Sequence, residues 1–254
     1  MSMLKQQLKE GNTVLGTMLS EMTCHNLPLI LRTAGFSFII IDCEHGYYDF
    51  GHIASLVSVG NGCGITVLVR VPVIEREFIT KVLDMGADGL LVPMVNTKEL
   101  AEKVVEFAKY SPLGRRGLST MRAHTRYNPP PLGQYMEIAN ARTIVLAQIE
   151  TAKAVTEASD IAAVDGIDAL IVGPNDLAAD LGTPGQFGTP EMEAAISHVV
   201  SCATQAGKPS GIIDSKIPFL HKWQDRGMRV FSCSSEVGML MKAAKSTVAE
   251  FSTR

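Results

Sequence analysis

Short apolar runs of β character alternate with helix-period segments along the whole chain, and no other feature limits the possible fold as much. The runs lie at residues 13–20, 36–42, 65–71, 89–95, 143–150, 167–173, 210–214 and 229–234. Repeated βα units imply a parallel sheet with helical crossovers. Phe38-Ile-Ile-Ile41 and Gly89-Leu-Leu-Val92 are apolar at successive positions, as strands covered on both faces must be. Residues 97–110 exemplify the helices: positions 100, 101, 104, 105, 107 and 108 make one apolar stripe, and Thr97 is placed as the N-cap. Gly35, Gly86, Gly166, Gly207 and Gly227 fall where left-handed C-caps should close helices before the next strand. Eight such units in 254 residues, with no composition break, predict a single-domain α/β fold, the (β/α)8 TIM barrel.

Charge and composition remove several function classes. Twenty-three basic and 26 acidic residues are spread evenly to a net charge of −3, so no basic face for nucleic acid is expected. The N-terminus lacks an apolar signal core and no run approaches a membrane span, which points to a cytoplasmic protein with no membrane partner. The five cysteines are odd in number, scattered and never in C-x-x-C, the pattern of free thiols in a reducing compartment. Cys43, between Asp42 and His45, is the thiol placed for chemistry, but a nucleophile would also need an oxyanion site. Neither a dinucleotide nor a P-loop motif is present. Two insertions interrupt the βα rhythm, at 111–131 and 182–190. The longer is expected to be functional or a lid that shapes the substrate site, followed by a short helix at 133–141. Arg115 and Arg116 within it read as surface residues, with contact to an acidic substrate tail as the alternative.

A barrel of this kind carries its chemistry at the C-terminal ends of its strands. The second run ends in Asp42-Cys-Glu-His45, the third in Arg70, the fifth in Gln148-Ile-Glu150, and the sixth runs into Gly173-Pro-Asn-Asp176. An apolar strand ending in a carboxylate is costly unless something cationic meets it. Glu150 and Asp176 therefore form a candidate pair for a hard divalent ion such as Mg²⁺ or Mn²⁺. Each has a plainer reading: Asp176 as a helix cap and Glu150 as an N-terminal helix carboxylate. Arg70 suits planar recognition of a carboxylate or a buried ion pair. His45 with Asp42 could exchange protons or be a satisfied structural histidine. Asp84, before Gly86, reads as a residue of a helix's last turn.

Taken jointly, Asp42-Cys-Glu-His-Gly46, Arg70-Val-Pro72, Leu91-Val-Pro-Met94, Ser111-Pro-x-Gly-x-Arg-Gly117, Arg122-Ala-x-x-x-Tyr127, Gln148-Ile-Glu-Thr151 and Gly173-Pro-x-Asp-Leu177 resemble the metal-dependent pyruvate aldolases of the HpcH/HpaI group. The resemblance implies a barrel whose last helix is exchanged between subunits, in a homo-oligomer built as a trimer of dimers. It implies that Glu150 and Asp176 hold the metal (Mg²⁺, Mn²⁺ or Co²⁺), and that Arg70, Gln148 and the backbone at Gly173 and Pro174 bind a small 2-oxo acid. His45, Asp42 and Asp84 would be the proton-handling set. The implied activity is reversible cleavage of a 4-hydroxy-2-oxo acid to pyruvate and an aldehyde. Alternatives are a citryl- or malyl-CoA-lyase-like enzyme, a Schiff-base aldolase using Lys216, and a non-catalytic 2-oxo-acid binding barrel. The chain departs from the pattern at Ser234-Ser-Glu236, where relatives often carry Gly-Ser-Asp.

Overall fold

A computed structural model of the chain describes residues 3–253, and in it eight parallel strands close into one barrel in sequence order. The strands are β1 (Val14–Leu19), β2 (Phe38–Asp42), β3 (Thr66–Arg70), β4 (Gly89–Val92), β5 (Ile144–Ile149), β6 (Ala169–Val172), β7 (Ser210–Asp214) and β8 (Val230–Ser235). The helices are α1 (Met3–Lys9), α2 (Leu27–Thr33), α3 (Phe50–Cys63), α4 (Arg76–Asp84), α5 (Lys98–Ala108) and α6 (Leu132–Arg142). They continue with α7 (Ala152–Thr156), α8 (Ala158–Ala163), α9 (Pro174–Asp180), α10 (Pro190–Gln205), α11 (Ile217–Asp225) and α12 (Glu236–Ser252). This is the TIM barrel expected from the repeated units. No helix among the described residues is long and apolar enough to cross a membrane.

Local signals explain the boundaries. Thr97 caps α5 by accepting from the Leu100 N–H, and Gly35, Gly86, Gly166, Gly207 and Gly227 all have positive φ. The strand alternation sorts side chains into two cores. Phe38, Ile40, Leu68, Leu91, Ile144, Leu146, Ala169, Ile171 and Val230 fill the lumen, and Leu4 of α1 joins them. Ile39, Ile41, Val67, Val69, Val145, Ala147, Ile149 and Val172 face outward under the helices. Gly16 makes room for the Phe38 ring, because a Cβ there would stand 2.4 Å from it. Burying a phenylalanine of this kind stabilises the fold by roughly 1.5–3 kcal/mol.

The same topology divides the loops between two ends. Each helix that follows a strand runs back toward the barrel base, so βα loops ring the mouth and αβ loops ring the base. The 111–131 insertion joins α5 to β5 and so lies at the base, where Arg122, His124, Arg126 and Tyr127 line a cavity of about 860 Å³. Its expected role in shaping the substrate site is not met within one chain, since none of its residues lines the mouth. Arg116 likewise departs from its surface reading. It is 6% exposed and donates to Asp84 at 2.6 Å, whereas Arg115 is exposed. Helix α12 lies largely uncovered, with Leu240, Met241, Val248 and Phe251 exposed.

Candidate active site

The polar groups of the mouth extend the lumen rows upward. Asp42 follows Phe38 and Ile40 on β2, Arg70 follows Leu68 on β3, and Gln148 and Glu150 follow Ile144 and Leu146 on β5. Strand parity thus converts the top of an apolar core into a ring of polar side chains. That ring borders a cavity of about 770 Å³ lined by Asp42, His45, Arg70, Gln148, Gly173, Pro174 and Asp176, with Met18, Ser20, Phe187, Lys216, Ser234 and Ser235 completing it among others.

Arg70 is held from two sides. Its Nε and Nη2 donate to Asp42 Oδ1 and Oδ2 at 2.8 and 2.6 Å, and Nη1 meets Glu44 Oε2 at 3.0 Å. Asp42 also accepts from the Glu44 and His45 N–H groups. Burial by itself would raise the Asp42 carboxyl, but the Arg70 guanidinium holds it below the ordinary carboxylate value. Glu150 is opposite in character. It is 1% exposed, accepts from the Met94 N–H at 2.6 Å and from the Gln148 side-chain amide, and has no cation paired with it among the described residues. Burial pushes its carboxyl above the ordinary value, and the negative charges of Glu44 and Asp176 add to the shift. Met94 adopts φ +54 to present that N–H, a strained conformation at a functional position.

These groups fit a divalent cation. Asp176 is exposed to the mouth, its carboxylate enters no hydrogen bond or ion pair among the described residues, and the cap of α9 is Gly173 without a side-chain cap. The capping reading of Asp176 therefore fails. Gln148 Oε1 is buried without a partner, and a Cβ at Gly173 would stand 2.6 Å from Glu150 Oε2. No group of three or more ligand-type side chains closes a ready-made cage among the described residues. Two carboxylates with open positions suit an ion that keeps water and accepts substrate oxygens.

The structure thus gathers Asp42, His45, Arg70, Gln148, Gly173, Pro174 and Asp176 around the cavity, with Glu150 beneath it against Gln148 and Gly173. Within one chain it does not gather Asp84, which ends α4 at the base, pairs with Arg116 and approaches His124 Nδ1 at 3.7 Å. Nor does it join Asp42 to the His45 ring: the carboxylate is taken by Arg70 and two backbone N–H groups. Burial pushes the Cys43 thiol up to about 12, and the neighbouring Asp42 charge adds to the shift, so its surroundings disfavour the thiolate. Sequence reasoning passed over Glu44 as a partner of Arg70, although it sits within Asp42-Cys-Glu-His45. Met94 lies in the quoted segment Leu91-Val-Pro-Met94, but the role of its N–H could not be read there, being a backbone group aimed by tertiary structure.

The mouth of this closed parallel barrel thus brings a fixed arginine, a histidine, a buried amide and two carboxylates without ion pairs among the described residues around one cavity. The sequence pattern of the HpcH/HpaI aldolase/citrate lyase family matches residues 21–240, and the chain belongs to that family of carbon–carbon lyases. It is similar to a hydroxypyruvate/pyruvate aldolase of Roseobacter denitrificans, with 32% identity covering 97% of this chain and 96% of the relative. A 4-hydroxy-2-oxovalerate aldolase of Novosphingobium aromaticivorans is 38% identical over 89% of this chain and 85% of its own. Among solved structures, an HpcH/HpaI aldolase from Desulfitobacterium hafniense superposes with a TM-score of 0.95 at 33% identity, covering 100% and 98% of the two chains.

Proposed function

We propose that this chain is a divalent-metal-dependent, class II aldolase that reversibly cleaves a 4-hydroxy-2-oxo acid into pyruvate and an aldehyde. The observation that carries this reading is the pairing of a buried, cation-free Glu150 with an unpartnered Asp176 beside a fixed arginine. The aldolase names of its relatives support the same reaction class. Glu150 and Asp176 would hold Mg²⁺, Mn²⁺ or Co²⁺, which supplies Lewis-acid polarisation of the substrate's 2-keto oxygen.

The chain's own groups do the rest. Asp42 and Glu44 clamp the Arg70 guanidinium, so its charge is fixed where negative charge grows on the 2-oxo acid fragment. Gln148 and the segment at Gly173 and Pro174 shape the space for the 2-oxo acid; the Gly173 N–H is already given to the Ile149 carbonyl and Pro174 has none, so that backbone borders the carboxylate end and does not donate to it. His45 takes the proton from the 4-hydroxyl as the C3–C4 bond breaks. The bonding electrons stay with the three-carbon fragment as its enolate and the aldehyde leaves; C3 then takes up one proton to complete pyruvate while His45 gives its proton back to solvent, and condensation runs these transfers in reverse. Asp42 orients both Arg70 and the turn that carries His45. A Schiff-base route would need Lys216, but that lysine is exposed and packs over the Phe187 ring, without the burial that activates an amine nucleophile. We further propose that copies of the chain associate through α12, whose apolar residues lie uncovered.

Glu150→Gln tests the centre of this reading. The variant should lose Mn²⁺ binding in calorimetry and release pyruvate from 4-hydroxy-2-oxo acids about 10²–10³-fold more slowly. Full metal-dependent turnover in that variant would remove the proposal.

A further inference from the structure

Glu236, the first residue of α12, is 4% exposed, and no cation pairs with it among the described residues. Its Oε1 instead accepts from three successive backbone N–H groups, those of Ser20 at 2.8 Å, Glu21 at 2.7 Å and Met22 at 3.0 Å. The Ser20 hydroxyl lies 3.4 and 3.5 Å from its two oxygens. Tyr48 closes the group, its hydroxyl donating to the Met22 carbonyl at 3.0 Å and standing 3.5 Å from Glu236 Oε1. One carboxylate therefore ties together the loops that follow β1, β2 and β8.

Those loops belong to the mouth. Ser20, His45, Ser234 and Ser235 line the cavity, on the side of the barrel across from β5 and Glu150. Ser234 has φ +61 and its carbonyl accepts from the Thr17 hydroxyl at 3.2 Å, so the segment leading into Glu236 is itself pinned. The His45 turn rests on the loop that Glu236 holds. A Cβ on Gly46 would stand 2.7 Å from the Ser20 carbonyl oxygen and 2.2 Å from that of Asp42, so the backbone beside His45 packs directly on Ser20. A shift of residues 20–22 moves the support of the imidazole, while Arg70, Gln148 and Glu150 are held by contacts that do not include residues 20–22.

We propose that Glu236 is a positioning residue for the aldehyde half of the reaction, an inference that rests on the aldolase reading above. Its carboxylate fixes Ser20–Met22 and, through Ser20 and Gly46, the placement of His45 against the 4-hydroxyl. Pyruvate and metal binding on the far wall do not depend on it.

Glu236→Gln keeps the size of the side chain and an oxygen for the three N–H groups, but removes the negative charge that strengthens those bonds and puts an amide donor in the place of Oε2 beside the Ser20 hydroxyl. Two quantities are measured on the full-length protein with Mg²⁺: pyruvate affinity by calorimetry, and pyruvate release from a 4-hydroxy-2-oxo acid. Pyruvate affinity should stay within about twofold, while kcat/KM for cleavage falls at least about tenfold, the scale expected for a displaced catalytic group. Tyr48→Phe, which releases only the clamp on the Met22 carbonyl, should shift the same ratio in the same direction by less, and it decides the matter if Glu236→Gln does not fold. Equal losses in affinity and cleavage, or unchanged cleavage, would overturn the assignment and leave Glu236 a purely structural staple. Absence of pyruvate release by the wild type would instead defeat the aldolase reading, and this inference falls with it.

Discussion

Gly173→Ala is the smallest change that reaches the centre of the mouth. Gly173 sits at φ −96 and ψ 90, a conformation open to any L-residue, so the backbone raises no objection. The added methyl would lie 2.6 Å from Glu150 Oε2, 2.8 Å from Gln148 Nε2 and 3.0 Å from Glu150 Cβ. Restoring ordinary contact requires the carboxylate to retreat by about 0.8 Å, and its other oxygen is anchored on the Met94 N–H at 2.6 Å. Overpacking of this kind costs about 1–3 kcal/mol. For a chain of this size each kcal/mol lowers the melting temperature by roughly 2–4 °C. The functional loss should exceed the stability loss, because a displacement near 1 Å at a reacting centre costs on the order of 10²-fold in rate. Loss of orientation at a metal ligand costs about 10–100-fold in affinity. Mn²⁺ calorimetry, a coupled assay for pyruvate and thermal melting together separate these terms. Gly133→Ala on α6, where an added Cβ meets nothing, is the control and should leave metal affinity and turnover unchanged, with any change in melting temperature upward. Wild-type metal affinity and turnover in Gly173→Ala would refute the reasoning, since Glu150 would then have no fixed position to lose.

Two further outcomes follow from the charges and from α12. Arg70 holds Asp42 below its ordinary value of 3.8, so the native chain takes up this proton at lower pH than the unfolded chain does. The stabilisation is complete above about pH 4 and disappears as pH falls through the native value. Asp42→Asn should therefore be less stable at neutral pH by roughly 1–3 kcal/mol, since Arg70 loses its bidentate partner and keeps Glu44. The gap to wild type should narrow below about pH 4 in denaturant titrations, and a gap independent of pH would contradict the assignment. Replacing Leu240 and Phe251 on α12 by serine should lower the mass seen in light scattering if copies associate there, and an unchanged mass would remove that proposal.

Much of this was legible in one dimension because the barrel is built from local rules. A strand apolar at every position, a capping threonine at Thr97 and glycines at helix ends act within a few residues, and they led to the strand count and connectivity without any long-range contact. Arg70, Gln148 and Glu150 were legible for a related reason. Once a strand is recognised, its parity and its end determine which side chain continues the lumen row into the mouth.

The remainder depended on which residues meet across the fold. Asp42 was expected beside the His45 imidazole because they are three residues apart, yet its carboxylate is claimed by Arg70 of the neighbouring strand in register with it. Asp84 read in the sequence as a residue of a helix's last turn, which it is, and only the family resemblance joined it to the site; within one chain, direction along the barrel axis decides its location. A residue at the end of a returning helix emerges at the base, with Arg116 and His124. The long insertion went to the base for the same reason. Glu236 stood out in the sequence as a substitution of uncertain meaning, and only the closure of β8 onto β1 brought the N–H groups of Ser20, Glu21 and Met22 to its carboxylate. The sequence by itself determined the barrel and the chemical kinds of group at its mouth, since both follow from periodicity. Tertiary structure alone decided which carboxylates are paired and which are free for a cation, because that depends on contacts between strands and loops far apart in the chain.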